Sequence, residues 1–292
     1  MKICDACGAT YDADSWQCIK CLKVPTMINN FPAFSPDLAV SNSGFKNEFF
    51  GKLAMAEAGS FWFQSRNRLI TWSLKKYFSS MCNFFEIGCG TAFVLSGIKK
   101  CFPRTILFGS DIFSSSLSYA RERLPNVTLF QMDARTIPFR DEFDVIGAFD
   151  VLEHIEEDGL VLSQMHQALR SNGGIILTVP QHKFLWSKED ERACHVRRYT
   201  RNELQCKVEA AGFKVLRMTS FVSLLLPMMF FSRLMKQKND ATEEDALNEM
   251  KLPKLINYLF YNVMKFELIL IKCGINFSFG GGSLLLIARK IG

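Results

Sequence analysis

Phe84-Phe85-Glu86-Ile87-Gly88-Cys89-Gly90-Thr91-Ala92 is an apolar strand that meets a carboxylate and then a glycine-rich turn opening a helix. Glycine in such a turn removes the Cβ that would block a ligand and permits positive φ, so a nucleotide-like cofactor can lie against bare backbone. Tight strand-to-helix turns also use glycine for purely structural reasons, and the turn alone is a weak signal. Three more acids follow at strand-like intervals: Asp111, Asp133 and Asp150. Strands expected at 83–87, 105–110, 127–132, 143–149, 174–179 and 213–219 alternate with helical stretches. This rhythm implies a parallel sheet covered on both faces, with ligands at the carboxyl ends of the strands. Thr200-Arg201-Asn202-Glu203 reads as a capping box opening a helix that stops at Gly212.

The acids fall where such a sheet needs them. Asp111 lies 21 residues past Gly90, the distance at which a carboxylate accepts from ribose hydroxyls. Asp133-Ala134 follows the third strand, where a carboxylate can accept from an adenine amino group. Phe149-Asp150-Val151-Leu152-Glu153-His154 follows the fourth, where a reacting group would meet the cofactor.

These motifs resemble the class I S-adenosylmethionine-dependent methyltransferases (the type 11/12-like members) over residues 82–221 plus the last strand, 283–288. Glu86-Ile87-Gly88-Cys89-Gly90-Thr91 is similar to their first motif and Met132-Asp133-Ala134 to their adenine motif. Phe143 through Ile155 is similar to the fourth motif, and Leu169-Arg170-Ser171-Asn172-Gly173-Gly174 to the fifth. Ala92 departs from the pattern, since the family usually has a third glycine there. The resemblance implies a Rossmann-like, seven-stranded, mostly parallel α/β sheet with an antiparallel last strand, and S-adenosylmethionine as cofactor. It places cofactor contacts at Glu86, Gly88, Cys89, Gly90, Asp111, Ile112, Asp133, Ala134, Phe149 and Asp150. A dehydrogenase using NAD explains the turn and Asp111 equally well, but not Glu86, Asp133-Ala134 or the Asp150–His154 run. No GxxxxGK[ST] loop is present, which argues against an NTPase.

In-line methyl transfer needs alignment and exclusion of water, and a hydroxyl acceptor also needs a base. The catalytic candidates are His154, His182 and His195, with Asp150 and Glu153 behind them. Some family members use a similar Asp-x-x-Glu-His run to hold a divalent ion, which would engage Asp150, Glu153 and His154. The segment 181–199 follows the fifth strand, where acceptor pockets are built, and offers Trp186, Arg197, Arg198 and Tyr199 as substrate contacts. The arginine pair suits a phosphate, so Arg197→Ala is expected to weaken acceptor binding and spare cofactor affinity. The alternative is a solvated loop anchored by Trp186 and Tyr199.

Outward from this region, Cys4-x2-Cys7-x10-Cys18-x2-Cys21 sets two knuckles close enough for one tetrahedral ion. That spacing predicts a structural Zn2+ module over 1–24 whose folding energy comes from the metal. Redox use is the rival, but no thioredoxin-like context surrounds either pair. Residues 25–80 read as a linker (25–44, from its Pro and Asn content) and a helical pair broken near Gly59. In Phe61-Trp62-Phe63-Gln64-Ser65-Arg66-Asn67-Arg68 the aromatics read as core. The arginines either face a cofactor carboxylate, with Arg66 the candidate, or are solvated.

The methyltransferase domain is assigned to 81–292, interrupted by an apolar helical insertion, 222–281. Leu255, Ile256, Leu259, Phe260, Val263, Phe266 and Ile269 approximate one helix face there. The insertion could wall off a greasy acceptor, lie in a membrane interface, or serve as a dimer contact or enlarged core. Together with 181–199 it resembles methyltransferases encoded with cell-surface glycan enzymes. The expected partner is therefore a small or lipid-linked acceptor, a saccharide among the candidates, with peripheral membrane contact.

The 292 residues are 48% apolar with a net charge of +6, which excludes a disordered chain and provides ample core. The charge is modest and no dense Lys/Arg stripe appears, so RNA methylation aided by the cysteine module is the second reading. A non-catalytic scaffold of the same fold is the third. The chain opens with no secretory signal, and its longest apolar run, Phe221–Phe231, contains Pro227 and falls short of the roughly 20 residues a membrane span needs. With Cys82, Cys89, Cys101, Cys194, Cys206 and Cys273 reading as reduced thiols, the expected location is cytoplasmic, or peripheral at the inner membrane face.

Overall fold

The computed structural model describes residues 1–39, 47–236 and 252–291. Its central sheet contains the expected strands: β5 (Asn83–Ile87), β6 (Ile106–Asp111), β7 (Thr128–Gln131), β8 (Phe143–Phe149), β9 (Leu169–Pro180), β10 (Phe213–Phe221) and β11 (Ser283–Lys290). Strands β7, β6, β5, β8 and β9 run parallel, and β11 lies antiparallel between β9 and β10.

The sheet extends further than the sequence implies. The stretch 25–39, read as linker, instead forms a hairpin of β3 (Thr26–Ile28) and β4 (Phe31–Ala33), and β4 adds to the free edge of β7. Its turn residues Asn29 and Asn30 both have positive φ (50° and 64°), the signature of a tight hairpin turn that Asn tolerates. The side chain of Gln131 locks the edge by bonding both backbone groups of Ser35. Residues 40–44, the rest of the expected linker, lie outside the described residues.

Strand alternation sorts the core into two layers. Phe84, Leu107 and Val145 face α2 (Phe61–Tyr77), α3 (Phe93–Cys101) and α4 (Ser114–Arg123). Phe85, Phe130 and Ile146 face the opposite way, toward α5 (Asp158–Ala168) and α7 (Arg201–Ala210). Each fully buried side chain of these layers contributes about 1.5–3 kcal/mol, so the doubly covered sheet is a rigid floor for whatever binds at its rim. The short α6 (Lys188–Arg192) follows β9, and Thr200 caps α7 by accepting from the Glu203 N–H, as expected.

The insertion forms α8 (Leu226–Lys236) and α9 (Lys254–Lys272), and most of its charged stretch, 237–249, lies outside the described residues. Helix α9 packs on α2 through Met264, Leu268 and Ile271. Two polar clamps fix it. Asn257 bonds the Phe61 N–H and the Gly59 carbonyl, and buried Glu267 accepts from the N–H groups of Ser223 and Leu224. Much of the apolar face read from the sequence is therefore left outside the core: Leu255, Leu259, Phe266 and Ile269 are 47–79% exposed. The helix is apolar on two sides, and the clamps choose between them.

At the amino terminus, β1 (Lys2–Ile3) and β2 (Thr10–Tyr11) carry the cysteine module. It docks against the domain through Trp16, packed on Phe34, Phe130 and Phe139, and through the Ile3 N–H bonded to the Pro138 carbonyl.

Candidate cofactor cleft and active site

A cavity of about 1290 Å³ opens at the carboxyl ends of the parallel strands. Its floor is the turn after β5. Gly88 has φ +65°, and a Cβ there would lie 2.5 Å from Val151 Cγ2. Gly90, at φ +52°, has open space where its Cβ would point. Ala92, which replaces the expected third glycine, caps α3 at φ +59°, a left-handed conformation costing an alanine about 1–2 kcal/mol.

Asp111 ties this turn to β6. One carboxylate oxygen accepts from the Gly90 N–H at 2.9 Å and the other from the Phe113 N–H at 3.0 Å. Burial pushes its pKa up, against the pull of those donors. Glu86 is 2% exposed and its Oε2 has no partner. Burial raises its pKa well above the ordinary carboxylate value, opposed by the nearby Arg66 guanidinium. A buried carboxylate oxygen left without a donor is costly, and the free volume beside it is large enough for a nucleoside whose hydroxyls would satisfy it.

Glu86, Gly88, Cys89, Gly90, Asp111, Ile112, Asp133, Ala134, Phe149, Asp150 and Arg66 all line the cavity. Two of them have unforeseen partners. Arg66 forms an ion pair with Asp150, stacked 4.3 Å from the Trp62 ring, rather than presenting a bare guanidinium to the cavity. Asp133 is gripped by Arg135 through Nε and a terminal nitrogen at 2.7–3.1 Å. Asp150 itself has φ +57°, the sort of strained backbone that concentrates at functional sites.

Sequence reading missed a clasp above the turn. Glu57, from α1 (Asn47–Glu57), accepts from the Thr91 hydroxyl at 2.7 Å and from Arg123 at 2.8 Å, while Arg123 also bonds the Thr91 carbonyl. Thr91 belongs to the glycine-rich motif, but nothing local marks Glu57 or Arg123, which are 66 positions apart.

The acceptor-side candidates divide. His154, His195 and Arg198 line the cavity; His182, Trp186, Arg197 and Tyr199 do not. His182 packs against Gly280 and Phe184, with its pKa lowered by burial. The Trp186 indole N–H reaches Glu191 at 3.4 Å. Arg197 is committed to Asp158 and Glu156, both at 2.7 Å, and the fully buried Tyr199 donates to Asp158 at 2.7 Å. Burial acts against the Asp158 charge, yet bonds from Lys207, Tyr199 and Arg197 hold its pKa below the ordinary value. Arg198 is likewise engaged, with Asp190 at 2.8 Å. The arginine pair expected to grip an anion thus holds the loop together.

His195 Nδ1 lies 2.8 Å from Asp190 Oδ1, and its ring meets that of His154 at 4.8 Å. Burial, then the neighbouring His195, pushes the His154 pKa down to about 4. Glu153 is fully buried, its Oε1 3.9 Å from His195 Nε2, with its pKa raised by burial and by Asp150.

Residues 84–173 match the family described as methyltransferase domain. The chain is 27% identical over 133 residues to a Mycolicibacterium smegmatis protein named "probable S-adenosylmethionine-dependent methyltransferase", covering 44% of this chain and 51% of the relative. It is 26% identical over 164 residues to a malonyl-[acyl-carrier protein] O-methyltransferase of Bacillus cereus, covering 49% and 60%. The chain spans about half the length of the curated relatives it matches. Among solved structures, a phosphoethanolamine N-methyltransferase 2 of Haemonchus contortus, bound to S-adenosyl-L-methionine, aligns with TM-score 0.56 at 16% identity, covering 86% of this chain and 59% of that one. A chain from the complex of the Haloferax volcanii Trm112 methyltransferase activator with a methyltransferase aligns with TM-score 0.53 at 15% identity, covering 85% and 100%. The structural likenesses show the fold; the family match and the named relatives support an S-adenosylmethionine-dependent enzyme. The matched segment contains Glu86 to His154 and leaves out the cysteine module, the 181–199 loop and the insertion.

Two features stand outside the cleft. The Sγ atoms of Cys4, Cys7, Cys18 and Cys21 lie within 4.8 Å of one another, with Cys4–Cys21 at 3.6 Å and Cys7–Cys18 at 3.7 Å. Thiolates around a tetrahedral zinc, at bonds of about 2.3 Å, stand about 3.8 Å apart, so the cluster fits the ion. No helix among the described residues is long and apolar enough to cross a membrane.

Proposed function

We propose that the protein methylates a small amphipathic acceptor, a lipid-linked saccharide being the favoured class, with S-adenosylmethionine as donor. One observation carries the reading: the cavity is continuous from the Glu86–Gly90 floor to an apolar wall. That wall is built by the insertion and its neighbours: Trp62, Val222, Leu225, Met229, Ile256 and Phe260. The cofactor, when bound, supplies a sulfonium methyl. Glu86 and Asp111 would hold it by its hydroxyl and amino groups, and the backbone at Gly88 and Gly90 would let it approach. The aromatic and methionine side chains would exclude water from the transfer and orient the acceptor's apolar part. The apolar wall suits an aliphatic body better than an RNA backbone.

Calorimetry with S-adenosylmethionine, followed by transfer of labelled methyl to saccharides with and without a prenyl or acyl tail, tests the reading. Binding with transfer only to the tailed acceptors is the expected result; absence of cofactor binding would leave the scaffold reading. The malonyl-[acyl-carrier protein] named for the Bacillus cereus relative is a second acceptor for the same assay. The exposed face Leu255, Leu259, Phe266 and Ile269, with Lys254, Lys265 and Lys272 on the same helix, suits peripheral contact with anionic lipid. Flotation with anionic liposomes is expected to carry the protein up, and an unbound protein would remove that part. Cys4, Cys7, Cys18 and Cys21 are proposed to hold a structural zinc, checked by metal content and by Trp16 fluorescence on chelation.

A further inference from the structure

The cavity has the opposite sign of charge from the protein around it. The chain is +6 overall, yet the described residues lining the cavity include nine carboxylates, three guanidinium groups and no lysine. We infer that the polar head of the acceptor is a cationic amine seated between Glu153 and His195, and that anionic acceptors are turned away. The assignment of this amine to a methyl acceptor rests on the proposed function; the binding of an amine does not.

The negative charge is concentrated where the acceptor would sit. Glu57, Asp111 and Asp133, at the donor end, already accept bonds from Arg123, from backbone N–H groups and from Arg135. Five of the nine acids, Asp150, Glu153, Glu156, Glu157 and Glu189, come from the segments after β8 and β9. Glu156 and Glu157 are exposed at the rim. A cleft lined by one sign of charge focuses its field and draws in ligands of the other sign.

Glu153 marks the place within that field. It is fully buried, it lines the cavity, and neither carboxylate oxygen has a hydrogen-bond partner. A dry, unpaired carboxylate is unfavourable unless something positive meets it. The guanidinium groups nearby are committed elsewhere: Arg66 to Asp150, and Arg198 to Asp190 and the Gln181 carbonyl.

His195 selects an amine over an alcohol. Its Nδ1 lies 2.8 Å from Asp190 Oδ1, and Asp190 is fixed in turn by the Ser187 N–H and by Arg198 Nε, at 2.8–2.9 Å. A carboxylate that takes the Nδ1 proton leaves a lone pair on Nε2. That Nε2 is 3.9 Å from Glu153 Oε1, so two acceptors stand side by side at the cavity wall. One nitrogen can donate to both at about 2.9 Å, an ordinary hydrogen-bond length. An alcohol has a single O–H and satisfies only one of them, whereas a primary ammonium has three N–H donors and the missing charge as well.

An anionic head finds no such welcome. Arg197 does not line the cavity, and Arg66, Arg135 and Arg198, which do, already hold Asp150, Asp133 and Asp190. A phosphate there would lie among carboxylates, and like charges brought together reject a ligand. With the apolar wall taking the tail, the ligand class is an amphipathic amine: a long-chain amine, or a lipid-linked saccharide bearing an amino group.

Calorimetry on the full chain, with S-adenosylhomocysteine and EDTA present, tests this with four probes sharing a ten-carbon tail. Decylamine should bind tightest. Decyltrimethylammonium, which has the charge without N–H donors, should be weaker, decanol at least about tenfold weaker than decylamine, and decyl phosphate weakest. Glu153→Gln should erase the preference of decylamine over decanol, with decanol and S-adenosylmethionine bound as in wild type. The ranking on wild type needs no substitution and stands even if that variant does not fold. Decyl phosphate or decanol binding as tightly as decylamine would overturn the inference, as would full decylamine affinity in a folded Glu153→Gln. Failure to bind S-adenosylmethionine would instead remove the methyltransferase reading, and the same ranking without nucleoside would still measure the amine site.

Discussion

The two ends of the cavity are made differently. At β5, β6 and β7 each polar residue follows its own strand within a few positions, and the parallel sheet sets all of them side by side at its rim. At β8 and β9 the wall is assembled from distant pieces: α2, the 181–199 loop, and helices α8 and α9. The end proposed for the donor is polar, with Asp111 tied to the Gly90 backbone and Glu86 buried in the floor. The end proposed for the acceptor carries an apolar wall beside polar side chains that include Glu153, His154, His195 and Arg198. A donor-binding end built into the sheet can serve many reactions unchanged, while the acceptor end can be rebuilt by inserting helices.

Substitutions can set the ends against each other. The largest effect is expected at the donor end. Glu86→Gln should weaken S-adenosylmethionine binding by about 100-fold, since bonds to a charged group contribute about 1.5–3 kcal/mol. It should not lower thermal stability, because it removes a buried carboxylate. Loss of both together, measured by calorimetry and melting, would make Glu86 a structural residue instead.

At the acceptor end, pH is the next lever. With His154 at about 4 in the fold and about 6.5 unfolded, the unfolded chain binds the extra proton between those values. Stability of metal-free protein should therefore fall as pH drops from 6.5 to 4, by on the order of 3 kcal/mol, and His154→Gln should flatten that part of the curve in denaturant titrations.

Arg197→Ala, first expected to weaken the acceptor, should instead destabilise by about 2 kcal/mol and leave KM for the acceptor unchanged, because Arg197 braces Asp158. A KM change without a Tm change would return it to the binding site. The smallest effect is expected for Phe260→Ala, which should raise acceptor KM about tenfold, worth roughly 1.4 kcal/mol, and leave cofactor affinity within twofold. Equal loss of both would show that the ends are not separable.

The contrast also explains what could be read from the chain. The strand rhythm and the donor acids were legible because each depends on neighbours a few residues away. The hairpin 26–33 was not: Asn29, Asn30 and Pro32 resemble linker composition, and only the edge of β7 makes them strands. Trp186, Arg197 and Tyr199 were placed on the acceptor by their chemistry, whereas the structure spends Arg197 and Tyr199 on Asp158 in α5, a partner about 40 positions upstream. The apolar face read for α9 left packing and exposure open, because a helix apolar on two sides gives no periodic signal to choose between them; the structure buries Met264, Leu268 and Ile271 and exposes Leu255, Leu259, Phe266 and Ile269. Glu57 and Arg123 carry no motif at all, and Asp190 shows only the capping box it forms with Ser187.

The pairing of Ala33 with Gln131 has a consequence in time. During synthesis at about 5–20 residues per second, β4 must wait several seconds for β7 to be made, and longer for it to leave the ribosome. Over that interval the hairpin has no edge to join, and Phe31, Phe34 and Trp16 have no core to enter. The two cysteine knuckles close within their own 18 residues and need nothing downstream. A metal taken up early would keep the first part of the chain compact and out of wrong pairings until its docking surface exists, giving the module a part to play in assembly as well as in the finished fold.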